Sequence, residues 1–86
     1  MKSNNFNNSI NIIGAKLKKN RELQKISQEE LCNKLALLGI TLYKNDIYRI
    51  EKNKRVVKDF ELWGIAKCLN VKIEDLIDIK EEKGMC

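Results

Sequence analysis

The sequence contains no histidine and no proline, and it has only three serines and three cysteines among its 86 residues. Without histidine, neither a Ser-His-Asp triad nor a Cys-His pair can be assembled, and histidine-based metal ligation is excluded. We therefore expect no enzymatic activity, no metal site and no cofactor.

The three cysteines, Cys32, Cys68 and Cys86, are odd in number, far apart and without a CxxC pair. This pattern fits neither a disulfide framework nor a zinc site, and it indicates a reducing compartment. We expect Cys32 and Cys68 to be small core residues and Cys86 to be exposed.

Long hydrophobic runs are also missing, since none approaches the roughly 18 residues that a membrane helix needs. The first five residues, Met-Lys-Ser-Asn-Asn, are not typical of a signal peptide. We expect a cytoplasmic protein that does not associate with a membrane.

The net charge of +5 is distributed unevenly along the chain. Residues 1–25 carry +5 and residues 44–58 carry +4, whereas residues 26–43 carry −1 and residues 59–86 carry −3. Such a polarised chain fits a molecule with one surface that meets a polyanion. The alternative is that lysine is merely abundant.

Hydrophobic periodicity predicts one small all-α domain of five helices. We expect residues 1–9 to form a disordered N-terminal arm, residues 10–79 the folded domain and residues 80–86 a C-terminal tail. The predicted helices are about Ile10–Gln24, one that starts after Ser27 and ends at Gly39, about Lys44–Glu51, one that begins near Asp59, and about Ile73–Ile79.

The second predicted helix has the clearest start signal. Ser27 and Glu30 have the spacing of a capping box, and Ile26 and Leu31 have the spacing of a hydrophobic staple. Gly39 is placed to end the helix in a left-handed turn. The predicted buried face consists of Leu31, Leu35 and Leu38.

The first and third predicted helices each place a charged residue on a buried face. Ile10, Ile13 and Leu17 share a stripe with Arg21, which therefore needs a partner. In the third helix, Ile47 and Ile50 point inward together with Glu51. The opposite face of the third helix carries Lys44, Asn45, Tyr48 and Arg49.

Four strings carry a resemblance to a known family: residues 17–21 (LKKNR), 26–31 (ISQEEL), 47–51 (IYRIE) and 61–71 (ELWGIAKCLNV). Together they closely resemble the lambda-repressor/Cro-like helix-turn-helix domains of the Xre family over about residues 10–79. The resemblance implies a five-helix bundle in which the second and third helices form the helix-turn-helix. It also implies that Arg21 and Glu51 form a structural ion pair.

The chain departs from the family pattern in two places. Between Leu35 and Ile47 it has about five more residues than the commonest members. Tyr43 stands where those proteins usually have a small capping hydroxyl residue, and Thr41 is the nearest hydroxyl. These departures affect the first residue of the third helix.

By resemblance and by helical face, the third helix is predicted to enter the DNA major groove. Arg49 suits guanine and Asn45 suits adenine, because each side chain can make two hydrogen bonds to that base. A tyrosine there can bond to phosphate, pack on a thymine methyl or cover the core. The predicted base-reading residues are Tyr43, Lys44, Asn45, Tyr48 and Arg49.

Phosphate contacts are predicted on both sides of this helix. Gln28 lies beside the unpaired N–H groups at the start of the second helix, where an anion is favoured. The others belong to the basic loop that follows the third helix. The predicted phosphate-binding residues are Gln28, Lys52, Asn53, Lys54 and Arg55.

These features predict a sequence-specific double-stranded DNA-binding transcriptional regulator of the repressor kind, working as a homodimer on a palindromic site. Leu76, Ile77 and Ile79 are the predicted dimer interface, and the alternative is that Leu76 and Ile77 only close the core. A protein-interaction module of the same fold, such as an antitoxin-like subunit or adaptor, is the rival function. A nucleic-acid-processing enzyme is disfavoured because the acidic residues concentrate after position 59.

Overall fold

The computed structural model describes residues 9–78. These residues form four α-helices and no β-strand, which confirms the all-α class. A short 3₁₀ helix follows the last α-helix. The elements are α1 (Gly14–Leu23), α2 (Gln28–Leu37), α3 (Lys44–Glu51), α4 (Asp59–Leu69) and the 3₁₀ helix (Ile73–Leu76).

The predicted count of five α-helices was wrong for the described part of the chain. The segment assigned to the fifth helix makes a single 3₁₀ turn of four residues, and the backbone of Ile77 is already extended. In this turn Leu76 alone is buried, which is too little to hold a longer helix against the cost of nucleation. Ile79, like residues 1–8 of the predicted arm and the tail 80–86, lies outside the described residues.

Helix α1 begins at Gly14 rather than Ile10, because the side chain of Asn11 bonds to the backbone just ahead of the first turn and sets the start of the helix there. Asn11 Oδ1 accepts hydrogen bonds from the backbone N–H groups of Ile13, at 3.1 Å, and Gly14, at 2.9 Å. Ile10 consequently lies outside the helix and is 38% exposed, so its predicted burial was wrong. Leu17 and Ile13 are buried as expected.

The start of α2 confirms the predicted capping box. The hydroxyl of Ser27 accepts from the backbone N–H of Glu30 at 3.0 Å, and the Glu30 carboxylate accepts from the backbone N–H of Ser27 at 2.7 Å. The latter bond is the main reason that the pKa of Glu30 is lowered. Leu38 is 40% exposed instead of buried, because α2 ends one residue earlier.

Helix α3 has the predicted bounds, and its start is fixed by Asp46 instead of a hydroxyl residue. The Asp46 carboxylate accepts from the backbone N–H of Tyr43 at 2.9 Å. Thr41 is exposed and lies two residues ahead of this cap. Ile47 and Ile50 have no exposed surface, so the inward face of α3 is the one that periodicity predicts.

Each of the four α-helices is followed within two residues by a residue with positive φ, and these residues are Lys25, Gly39, Asn53 and Asn70. At each end the backbone bonds are those of a Schellman motif, in which the residue after the left-handed one donates back to the last turn. Gly39 was the predicted end of α2. Lys25, with φ 59°, is the one long side chain among the four.

Replacement of Lys25 by glycine is expected to increase the free energy of unfolding by about 0.5–1 kcal/mol. The left-handed conformation costs an L-residue about 1–2 kcal/mol, and part of that gain is offset by the greater freedom of glycine in the unfolded chain. Urea denaturation measures the change. The control is Lys19→Gly inside α1, which should lower stability by about 1 kcal/mol, and a Lys25→Gly variant weaker than wild type would contradict the prediction.

The four α-helices and the 3₁₀ helix enclose one hydrophobic core of twelve buried residues. Gly64 lets α4 approach the α2–α3 connection, because a Cβ there would collide with the Ile40 side chain. Cys32 and Cys68 are half-buried at the edge of the core, and burial raises the pKa of each thiol. Cys86 lies outside the described residues. Between residues 9 and 78, no helix is long and apolar enough to cross a bilayer.

Candidate nucleic-acid interface

The outward face of α3 carries four of the five residues predicted to read bases, and the fifth, Tyr43, is the N-cap of this helix. Lys44, Asn45, Tyr48 and Arg49 are all exposed, and Tyr43 precedes them with 69% of its surface exposed. The two tyrosines therefore do not cover the core, which removes one of the three roles considered for them.

An ion pair between Arg21 of α1 and Glu51 of α3 fixes α3 from behind. Arg21 Nε lies 2.7 Å from Glu51 Oε2, and Arg21 Nη2 lies 3.1 Å from Glu51 Oε1. The Glu51 side chain is 2% exposed and that of Arg21 is 10% exposed. The hydrogen bond to Glu51 raises the pKa of Arg21 above its ordinary value. The third guanidinium contact is the carbonyl of Ile26, at 2.8 Å.

Gln28, predicted to bind phosphate, takes part in this same anchor. Its side-chain amide donates to Glu51 Oε1 at 3.1 Å, so α1, α2 and α3 meet at one carboxylate. Gln28 is half-buried at the first position of α2. Sequence reasoning missed this bond because nothing local connects residues 28 and 51.

The loop between α3 and α4 keeps its three lysines exposed: Lys58, next to α4, and Lys52 and Lys54, which flank Asn53. The side chain of Asn53, between Lys52 and Lys54, bonds to the backbone ahead of α1 instead. Its side-chain oxygen accepts from the backbone N–H groups of Ile10, at 2.8 Å, and Asn11, at 3.0 Å. Asn53 is thus turned toward the start of the chain, whereas the adjacent lysines are accessible to a polyanion.

Arg55, also predicted to bind phosphate, is paired with the carboxylates of Glu61 and Asp46 and is largely buried. Its Nη1 and Nη2 atoms lie 2.9 and 3.2 Å from the two oxygens of Glu61, and its Nε lies 3.5 Å from Asp46. The Glu61 side chain is 4% exposed and that of Arg55 is 20% exposed. The structure therefore gives Arg55 a role in fastening α3 to α4 that the sequence prediction did not include.

The charges of this second ion pair are stabilised by their contacts. The hydrogen bond to Glu61 raises the pKa of Arg55. Burial acts to raise the pKa of Glu61, but hydrogen bonds from Arg55 and from the backbone N–H of Lys58 outweigh it and the pKa is lowered. Both groups are consequently charged at neutral pH.

Asn11 is the residue of this region that sequence reasoning missed altogether. Its side-chain amide donates to the carbonyl of Ile50 at 3.0 Å and to that of Arg55 at 2.8 Å, in addition to capping α1. It thereby joins the end of α3, the basic loop and α1. An asparagine among the several near the start of the chain gives no local signal that would single it out.

Together, α3 and the following loop form a surface that we call the basic face, consisting of Lys44, Arg49, Lys52 and Lys54 with Asn45 and Tyr48. Of the acidic side chains of α3, that of Glu51 is buried and that of Asp46 is half-buried, and both are paired with arginines. The Lys52 ammonium lies 5.8 Å from the centre of the Tyr48 ring. The exposed charges of α3 and of Lys52 and Lys54 are therefore all positive.

Of the predicted dimer residues, the structure describes Leu76 and Ile77, and neither is exposed. Leu76 is fully buried against the core, and Ile77 is half-buried and packs against it. Leu76 therefore closes the core, which is the alternative role that the sequence left open for it. Ile79 lies outside the described residues.

No family model, curated protein or solved structure matches this chain. Among residues 9–78, no group of three or more histidine, cysteine, aspartate or glutamate side chains could hold a metal ion.

Proposed function

We propose that this protein binds double-stranded DNA in a sequence-specific manner and acts as a transcriptional regulator, most simply a repressor. The observation that carries the proposal is the division of α3 into two faces. Ile47, Ile50 and the Arg21–Glu51 pair fasten one face to the core, and the other exposes only polar, cationic and aromatic side chains.

A helix of this kind fits the DNA major groove, where side chains must reach base edges from a firmly held backbone. Arg49 and Asn45 provide the two side chains that can pair bidentately with guanine and adenine. Lys52 and Lys54 lie where the flanking phosphates would be met. The order of α2, the connection 38–43 and α3 supports assignment to the lambda-repressor-like helix-turn-helix class and the Xre family, with a connection longer than that of the commonest members.

This function places the protein in the cytoplasm, with no catalytic step and no cofactor. One copy of α3 makes few base contacts, and two copies on a palindromic site would supply the specificity that one lacks. Selection of bound duplexes from a random library tests the proposal directly. Enrichment of one motif with two half-sites is expected, and recovery of unrelated sequences would contradict it.

Two substitutions distinguish a residue that contacts bases from one that contacts phosphates on the selected duplex. Arg49→Ala should relax preference at one base pair by about 1–3 kcal/mol, while Lys54→Ala should weaken binding to all sequences and reduce the salt slope by about one. Fluorescence anisotropy over a series of salt concentrations measures both effects. Lys72→Ala, an exposed lysine outside the basic face, is the control. Equal losses on every sequence for both variants would show that Arg49 does not read a base.

A protein-interaction module of the same fold, such as an antitoxin-like subunit or adaptor, is the second proposal. It is favoured by Phe60 and Trp63, which are 52% and 46% exposed on α4. Phosphate contacts make DNA affinity fall steeply with salt. Absence of duplex binding near about 50 mM salt would therefore favour the interaction module over the DNA-binding regulator.

A further inference from the structure

The two tyrosines of the candidate interface, Tyr43 and Tyr48, are both exposed, but their surroundings differ. Tyr43 is the N-cap of α3, and Tyr48 lies five residues later on the outward face of the helix. Because neither ring covers the core, two roles remain for each, a bond to phosphate or packing on a thymine methyl group. The contacts and charges near each ring distinguish these roles.

The backbone of Tyr43 is fixed at both of its polar groups. Its N–H donates to the Asp46 carboxylate at 2.9 Å, and its carbonyl accepts from the backbone N–H groups of Asp46, at 2.8 Å, and Ile47, at 3.1 Å. Asp46 lies 3.5 Å from Arg55 Nε, and Arg55 is paired with Glu61 of α4. The exposed ring of Tyr43 is therefore carried by a backbone that α3 and α4 hold in place.

The charges around Tyr48 favour a phosphate group. The Lys52 ammonium lies 5.8 Å from the centre of the Tyr48 ring, and the other exposed charges of α3, Lys44 and Arg49, are also positive. A phenol hydroxyl and an ammonium group can both donate hydrogen bonds to phosphate oxygens. Tyr48 is therefore suited to contact the DNA backbone.

The charges around Tyr43 do not favour a phosphate group, because they cancel. Asp46 bonds to the backbone of Tyr43 and is paired with Arg55. Lys44 follows Tyr43, and Glu29 of α2 lines the same surface groove as these two residues. Two carboxylates and two cations thus lie around this position, so an anion gains no net attraction there.

The groove between Tyr43 and α2 offers apolar surroundings instead. Cys32, Ile40 and Leu42 belong to its wall, and all three are part of the hydrophobic core or pack against it. The N-terminal end of a helix in the major groove is the part that contacts base edges. Thymine presents its methyl group there, where apolar side chains can pack on it.

We propose that the ring of Tyr43 packs on the methyl group of a thymine and makes one position of the bound site specific for that base. The inference rests on the proposed function, and it names the chemical group that Tyr43 recognises. Tyr48, with Lys52 beside it, contacts phosphate and does not distinguish bases.

Removal of the thymine methyl group tests the inference. Deoxyuridine replaces each thymine of the selected duplex in turn, and fluorescence anisotropy measures the affinity of the wild type and of Tyr43→Ala. Wild-type affinity should fall about fourfold at one thymine, the effect of leaving about one methyl group without its apolar contact. Tyr43→Ala should bind the two duplexes equally. Both proteins are compared on the same DNA, so a change in the DNA itself cancels.

Two further variants separate the methyl contact from a phosphate contact. Tyr43→Phe keeps the ring and should keep the full methyl effect. Tyr48→Ala, the matched control, should bind every duplex less tightly and still show the methyl effect. Circular dichroism confirms that each variant is folded. A Tyr43→Phe variant that binds all duplexes less tightly would indicate a phosphate bond through the hydroxyl and would overturn the inference.

The remaining outcomes separate this inference from the proposed function. A selected motif in which no thymine methyl matters, or a methyl effect that persists in Tyr43→Ala, would overturn the inference and leave the proposed function standing. Failure to select any motif would overturn both.

Discussion

Replacement of Arg21 by alanine is expected to lower the free energy of unfolding by about 3–5 kcal/mol. The substitution removes two hydrogen bonds to Glu51, whose side chain is 2% exposed, and leaves this carboxylate with Gln28 as its remaining side-chain partner. Isolating a buried charge costs more than an ordinary hydrogen bond is worth. The loss would be a large part of the roughly 5–15 kcal/mol margin of a small domain.

Urea denaturation at neutral pH measures the loss, and a double variant shows its origin. Arg21→Met combined with Glu51→Leu removes both charges and should recover much of the stability that Arg21→Ala loses. Because α3 is anchored by this pair, the Arg21→Ala variant should also bind DNA less tightly at temperatures where it is folded. An unchanged midpoint for Arg21→Ala would show that the pair does not support the fold.

Replacement of Arg55 by alanine should have the second largest effect, a loss of about 3 kcal/mol of stability. The substitution removes both guanidinium hydrogen bonds to Glu61, whose side chain is 4% exposed, and the contact with Asp46. Glu61 keeps the backbone N–H of Lys58, which places the loss at the lower end of the range for a broken buried pair. Lys54→Ala, one residue earlier and exposed, is the matched control and should leave stability unchanged.

The pH dependence of stability identifies the same pair. The pKa of Glu61 is lowered from its ordinary value of 4.5 in the folded protein, so its contribution is fully present above pH 4.5 and is lost as the pH falls through the folded pKa. Glu61→Gln should therefore flatten the stability profile below pH 4.5. A variant with the wild-type slope in that range would contradict the assigned charge state of Glu61.

The parts of the fold that the sequence predicts well are those fixed by neighbours along the chain. Ser27 and Glu30 cap α2 three residues apart, and Ile47 and Ile50 define the buried face of α3. The start of α1 could not be read in this way. The bonds of Asn11 Oδ1 to the backbone N–H groups of Ile13 and Gly14 are local, but Asn11 is held in place by amide bonds to carbonyls about 40 positions away, which the local sequence does not reveal.

The candidate site divides along the same line. Periodicity alone predicts which side chains of α3 are exposed, and all of them are. Periodicity cannot distinguish a cationic side chain of the basic loop that is exposed to solvent from one that is paired with a carboxylate. Lys54 and Arg55 are adjacent and carry the same charge. Only Arg55 forms an ion pair, because the first turn of α4 brings Glu61, six residues later, within hydrogen-bond distance of it.

The bonds made by Asn11 and Asn53 have a mechanical consequence for the proposed DNA contact. The backbone N–H groups of Ile10 and Asn11 donate to the side chain of Asn53, and the side-chain amide of Asn11 donates to the carbonyl of Arg55. Residues 10–11 are therefore bonded to the basic loop at two points. The backbone that carries Lys52 and Lys54 is thereby connected to residues 10–11. In the proposed DNA complex, replacement of Asn11 should therefore alter the phosphate contacts of Lys52 and Lys54, although Asn11 itself need not touch DNA.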